Sequence, residues 1–163
     1  MFVSFDQLPA HARIWIYQAN RSLTSEELAS VEPALRQFAE EWTSHGRALA
    51  ASAAFLHHQF LVIGLDEALA DASGCSIDSS VRFVRALEQA LNITLLEKSQ
   101  LAFLVDGEVQ LVDRRELKTA VAEGRLRPET PYFDNTIAQH QQLGRAWPAP
   151  AASTWLARYF AGA

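Results

Sequence analysis

Ser73-Gly74-Cys75-Ser76-Ile77-Asp78 is the segment whose residue types and spacing come nearest to chemistry. Apolar periodicity starts a helix at about Asp78. That places the single thiol of the chain just before free backbone N–H groups and the positive end of a helix dipole, surroundings that favour a thiolate and produce reactive cysteines. Gly74 permits a sharp turn or the close approach of a ligand. Ser76, Asp78 and Ser79 offer hydroxyl and carboxylate caps, and Asp66, at the end of an apolar strand upstream, points a second carboxylate toward the same mouth. Three readings follow: a thiol-dependent enzyme with Cys75 as nucleophile, a hydrolase built on Asp66 and Asp78, or a ligand contact through Gly74, Cys75, Ser76 and Asp78 without catalysis. A plain capped helix start, with the cysteine acting as a small hydrophobe, explains the same residues. A carboxylate beside a thiol also disfavours the thiolate, and no histidine is adjacent in sequence to serve as a base.

The elements that would position this segment are legible on both sides of it. Arg13 to Gln18 is rich in β-branched and aromatic residues and reads as a strand. Thr24-Ser25-Glu26-Glu27 spells a capping box, and Leu28, Val31, Leu35, Phe38 and Trp42 recur at helical spacing. Pro33 inside that helix predicts a kink or an early break, with Gly46 as the stop. Residues 48–56 form a weaker strand and 60–65 a continuous apolar one suited to a central position, joined at His57-His58-Gln59. A helix over 78–91 follows, with Val81, Val84, Leu87 and Leu91 inward. Asp106-Gly107 between two alternating runs is a two-residue hairpin turn, after which Asp113 to Glu116 starts a helix that Gly124 ends.

The order β-α-β-β-α-β over 13–105 matches the ferredoxin-like arrangement. The fold class is therefore α+β, with a βαββαβ core and a hairpin–helix–strand extension over 106–135. The whole of 1–146 reads as one domain. Residues 147–163 read as a Pro/Ala linker and an amphipathic aromatic turn carrying Trp155, Tyr159 and Phe160, which is expected to dock on the body. In this topology Asn20 and Arg21 emerge beside His57-His58 and opposite Cys75, and Asp106-Gly107 lies nearer Cys75.

Composition narrows the partners. Among 163 residues, 14 Lys and Arg face 19 Asp and Glu, a net charge of −5 that argues against nucleic-acid binding. One cysteine makes an internal disulfide impossible and fits a cytoplasmic, reducing compartment. There is no signal peptide at 1–12, which reads as a leader turning at Pro9, and no run long enough for a membrane span. The chain has no G-x-x-x-x-G-K-[ST], no G-x-G-x-x-G and no G-x-S-x-G, so the phosphate cradle, dinucleotide fingerprint and nucleophile elbow are all absent. One cysteine and five scattered histidines make no metal site. No cofactor is expected.

Two resemblances add to this. Ile14-Trp15-Ile16-Tyr17-Gln18-Ala19-Asn20-Arg21, Gly74-Cys75-Ser76-Ile77-Asp78-Ser79-Ser80-Val81, Phe133-Asp134-Asn135 and Trp155-x-x-Arg158-Tyr159 together resemble an uncharacterised family of small bacterial proteins. Its members often carry the label ABC-transporter ATPase, which the missing P-loop does not support. The resemblance implies a shared fold and no transferable activity. Glu116-Leu117-Lys118, Glu123-Gly124-Arg125-Leu126, Thr130 and Tyr132-Phe133 resemble a short pattern in prokaryotic modules related to GYF domains, which bind partners. The function expected is a ligand-binding or protein-interaction domain, with a homodimer or a protein partner possible, a ligand of unknown identity, and the thiol or carboxylate enzyme as the alternative.

Overall fold

The computed structural model describes residues 1–161, so the last two residues of the 147–163 segment lie outside it. Helices and antiparallel sheets are mixed, and the fold is α+β. The chain divides into two compact units, Met1–Leu96 with Ala138–Gln141, and Glu97–Ile137 with Gln142–Ala163.

In the first unit the order is β1 (Arg13–Gln18), α1 (Ser25–Glu41), a short hairpin of β2 (Thr43–Ser44) and β3 (Arg47–Ala48), β4 (Ala50–Leu56), β5 (Phe60–Asp66) and α2 (Gly74–Leu91). The main sheet runs β1-β5-β4, all antiparallel, with Gln18 opposite Phe60 and Leu56 opposite Phe60 on the other side. Central β5 is buried on both faces, as its unbroken apolar sequence requires. Leu61, Ile63 and Leu65 join Val31, Leu35, Val84 and Leu87 in the helix-side core. On the opposite face Gly64 lacks a side chain where Leu8 packs: a Cβ there would stand 2.5 Å from Leu8 Cδ1.

This sheet holds three strands, β1, β5 and β4, and the fourth strand expected of a ferredoxin-like arrangement does not join it. The strand at 100–105 pairs with its own hairpin partner in the second unit. The local Asp106-Gly107 turn, with φ of 53° and 78°, sets that pairing across two residues. The outer edge of β1 is covered instead by Ala138–Gln141, through Ile14 N–H to Ala138 O at 2.9 Å and His140 N–H to Ala12 O at 2.9 Å. At the other edge, Val3 N–H reaches Ala51 O at 2.8 Å, so residues 1–3 pair with β4 and do not trail as a leader. The Met1 amine donates to three carbonyls, Ala39, Glu40 and Leu49, at 3.1, 3.0 and 2.8 Å. Two of these belong to the negative end of α1, where a cation is favoured.

Pro33 does not break α1, which runs from Ser25 to Glu41. Pro33 and Ala29, whose carbonyl loses its helical partner, are both exposed, so the vacant acceptor faces solvent and is not buried without a partner. The Thr24–Glu27 capping box forms as its sequence demands.

The second unit holds β6 (Gln100–Val105), β7 (Glu108–Asp113), α3 (Leu117–Ala122), β8 (Pro131–Tyr132), α4 (Gln142–Arg145) and β9 (Ala149–Pro150), with sheet order β7-β6-β8-β9. The 147–153 stretch, expected as a linker, is structured: Trp147 is buried, Ala149 pairs with Tyr132, and Ala151 is fully buried. Small Ala side chains let this proline-bearing strand sit at a sheet edge, where missing N–H groups cost no ladder bond. A 3-10 turn at Trp155–Tyr159 follows, anchored by buried Leu156 among Leu101, Phe103, Leu117 and Tyr132.

Candidate functional site

The first turn of α2 begins four residues before Asp78. Ser73 is the N-cap: its hydroxyl accepts from Ser76 N–H at 3.1 Å, while Ser76 Oγ accepts from Ser73 N–H at 3.2 Å. This reciprocal serine box puts Cys75 inside the first turn, where backbone N–H groups still lack helical acceptors. Cys75 is exposed, which removes its reading as a buried hydrophobe. Gly74 has ordinary helical geometry, and nothing lies within 4 Å of a Cβ placed on it, so no tight turn or close contact there calls for glycine. Ser76 is buried, and its hydroxyl donates to Thr43 O at 2.8 Å.

Trp42 ties this helix start to the end of α1. As the residue closing α1 it turns the chain toward the β2–β3 hairpin, whose tip His45-Gly46 has φ of 51° and 77°. Its indole Nε1 donates to Ser76 O at 2.9 Å and to Ser79 Oγ at 3.1 Å. Its ring meets Trp15 edge-on at 5.8 Å and Phe38 at 5.1 Å, and Phe38 stacks on Phe83 of α2 at 4.4 Å. Such aromatic pairs add about 0.5–1.5 kcal/mol each beyond area burial.

Beside this wedge lies an open cavity of about 330 Å³. Phe38 and Trp42 form its apolar wall, and Glu41, His45, Ser73 and Ser79 supply polar groups around Cys75. Sequence reasoning missed His45, Glu41 and the aromatic wall. The available signal is His45-Gly46, a dipeptide suited to a positive-φ hairpin turn, although Gly46 alone also suits a helix stop.

The carboxylates stand apart from this cavity. Asp66 Oδ1 accepts from Ala68 N–H at 3.0 Å, Asp78 is exposed on the second turn of α2, and neither lines it. Neighbouring Glu67 is a distinct case: burial first, then a hydrogen bond with Asp71, pushes its carboxyl above the ordinary value, opposed by Arg13 at 3.7 Å. Asn20 and Arg21 sit at the opposite end of the sheet, as the antiparallel pairing of β1 and β5 dictates. Ala19 N–H bonds Gln59 O at 2.8 Å there. Both side chains there serve the scaffold: Asn20 accepts from Thr94 N–H at 2.9 Å, and Arg21 grips Glu27 and the Leu91 carbonyl. His57 and His58 form the positive-φ turn between β4 and β5, with burial pushing the His57 imidazole below its usual value. Asp106-Gly107 belongs to the hairpin of the second unit.

Among the described residues no group of three His, Cys, Asp or Glu side chains is placed to hold a metal ion, and no buried side-chain nitrogen or oxygen lacks a partner. No helix there is long and apolar enough to cross a membrane. No family model, curated protein or solved structure matches the chain.

Proposed function

We propose that the Met1–Leu96 unit is a ligand-binding module without catalysis, taking a small, partly apolar molecule in the cavity beside Cys75. The observation that carries this reading is the convergence of an aromatic wall with His45, Glu41 and the α2 start around one opening of about 330 Å³. That volume lies at the lower end of small-molecule sites, which pair apolar walls with a few placed polar groups. The exposed, unpaired thiol supports a reducing, cytoplasmic setting.

The test combines a fragment screen, followed by the Trp42 indole N–H resonance, with the rate of Cys75 alkylation by iodoacetamide. A ligand of this cavity shifts that resonance and slows alkylation in step with occupancy. If no fragment does both, the binding reading is lost.

His45 on the same cavity favours a second reading, a thiol-dependent enzyme with His45 as the base for Cys75. Its signature is an alkylation rate whose pH profile changes in His45→Ala. An unchanged profile removes it and leaves the binding module untouched.

A further inference from the structure

In the second unit, four side chains gather around one indole. The Trp155 ring is fixed from beneath: its Nε1 donates to the Tyr132 hydroxyl at 3.2 Å, and Tyr132 is 4% exposed. Thr154 caps the turn by accepting from Leu156 N–H at 3.2 Å, so buried Leu156 locks the turn in place while Trp155 and Tyr159 stay half-buried at the surface. Arg114, at the end of β7, places its guanidinium carbon 5.3 Å from the Trp155 centroid. Arg158 stands 5.7 Å from that ring and 5.2 Å from Tyr159.

The two arginines differ from their neighbours. Arg115 is held by Asp113 at 3.1 Å and Arg125 by Glu123 at 2.9 Å. Arg114 and Arg158 are exposed and, among the described residues, form no ion pair. Stacking on an aromatic face leaves the N–H edge of a guanidinium open, a planar fork that matches a carboxylate bidentately. Two such forks over one half-buried indole ask for carboxylates flanking an apolar group.

We infer that Arg114, Arg158, Trp155 and Tyr159 form a docking surface for an acidic segment of another protein, one that carries an apolar side chain between its carboxylates. Charge complementarity selects this occupant. Acidic and basic residues balance across the second unit, so there is no extended positive field for a nucleic-acid backbone, which needs several phosphates neutralised at once. Rim charges of this kind set encounter and specificity, and the aromatic centre supplies contact area.

The full chain is titrated against the labelled peptide Glu-Glu-Leu-Asp-Glu by fluorescence anisotropy. Its amide counterpart Gln-Gln-Leu-Asn-Gln and a single-stranded oligothymidylate serve as comparisons. The acidic peptide binds, weakens as salt rises, and shifts the Trp155 indole N–H resonance of the native protein. R114Q and R158Q each weaken it about tenfold, near 1.4 kcal/mol. R125Q, whose arginine is paired elsewhere, leaves it unchanged. Circular dichroism confirms that the variants are folded, and R158K, which keeps the charge without the fork, falls between R158Q and the native chain. Absence of binding, equal binding of the amide peptide, tighter binding of the oligonucleotide, self-association that occludes the peptide, or indifference to both arginine changes would each overturn the inference.

Discussion

Trp42 donates its indole N–H to the backbone carbonyl of Ser76 across 2.9 Å of buried space, joining the end of α1 to the first turn of α2. The Ser73–Ser76 capping box hangs on the same residue, since the Ser76 hydroxyl also reaches Thr43. Trp42→Phe keeps an aromatic ring but leaves two acceptors without this donor. It should cost about 1–3 kcal/mol, read as a lower denaturant midpoint with an unchanged slope. Ser76→Ala, which removes one half of the box, should cost about 1–2 kcal/mol and lower the alkylation rate of the already exposed Cys75, as the fraying helix start stops favouring its thiolate. If Ser76→Ala leaves both stability and alkylation untouched, the cap does not hold the cavity wall.

Gly64 and Leu8 make a second close pair. A methyl at 64 meets Leu8 Cδ1 at 2.5 Å, well inside van der Waals contact, and Leu8 is itself only 4% exposed. Gly64→Ala should therefore destabilise the unit by about 1–3 kcal/mol through overpacking. Leu8→Ala opens the space, so the double variant should be more stable than the sum of the single effects predicts. Additive effects would show that Leu8 moves aside without cost.

Acid sensitivity should trace to a pair at the start of α1. Arg21 first, then the Thr24 backbone N–H, holds the Glu27 carboxyl at about 2, well below its ordinary 4.5. A carboxylate with a depressed value contributes stability above pH 4.5, and that contribution fades as pH falls toward 2. Glu27→Gln should flatten this part of the stability profile, and Arg21→Gln should move the Glu27 titration upward in a carboxyl-detected NMR experiment. Glu67 has the opposite sign: its raised value makes ionisation work against the fold, so its contribution declines as pH rises through that range. Its resonance should titrate at higher pH than that of Glu27.

The parts of this molecule that could be read from sequence are those governed by near neighbours. Thr24 and Glu27 lie three apart and cap each other, Asp106-Gly107 closes its own hairpin, and the apolar run of β5 announces a strand covered on both faces. Each is set by contacts within a few residues or by one unambiguous pattern. What sequence could not reveal depends on long-range choices. Nothing local tells β6 to leave the β1 edge to Ala138–Gln141, more than a hundred residues downstream of β1. The start of α2 is not fixed by residue type, since Asp78 and Ser73 cap equally well and the apolar periodicity begins only after Asp78; the deciding bonds run from Ser76 to Thr43 and from Trp42 to Ser76. The cavity shows the same limit. Cys75 was visible as a candidate, but His45, Glu41 and Phe38 reach it only through the fold.

The aromatic centre of the second unit offers a test at high pH. Burial pushes the Tyr132 hydroxyl up to about 12 from the usual 10.0, and the hydrogen bond from Trp155 pulls modestly the other way. A phenol whose value rises on folding contributes stability below pH 10, which is lost progressively as pH climbs toward 12. Tyr132→Phe should therefore lack that decline, and comparing denaturant midpoints of the two proteins above pH 10 exposes the difference. Trp155→Phe supplies a second sign. It removes the donor that stabilises the phenolate, so Tyr132 should ionise at still higher pH in an ultraviolet titration. A downward movement would mean that loss of the indole admits water to the ring, making Trp155 chiefly a cover and only secondarily a hydrogen-bond donor.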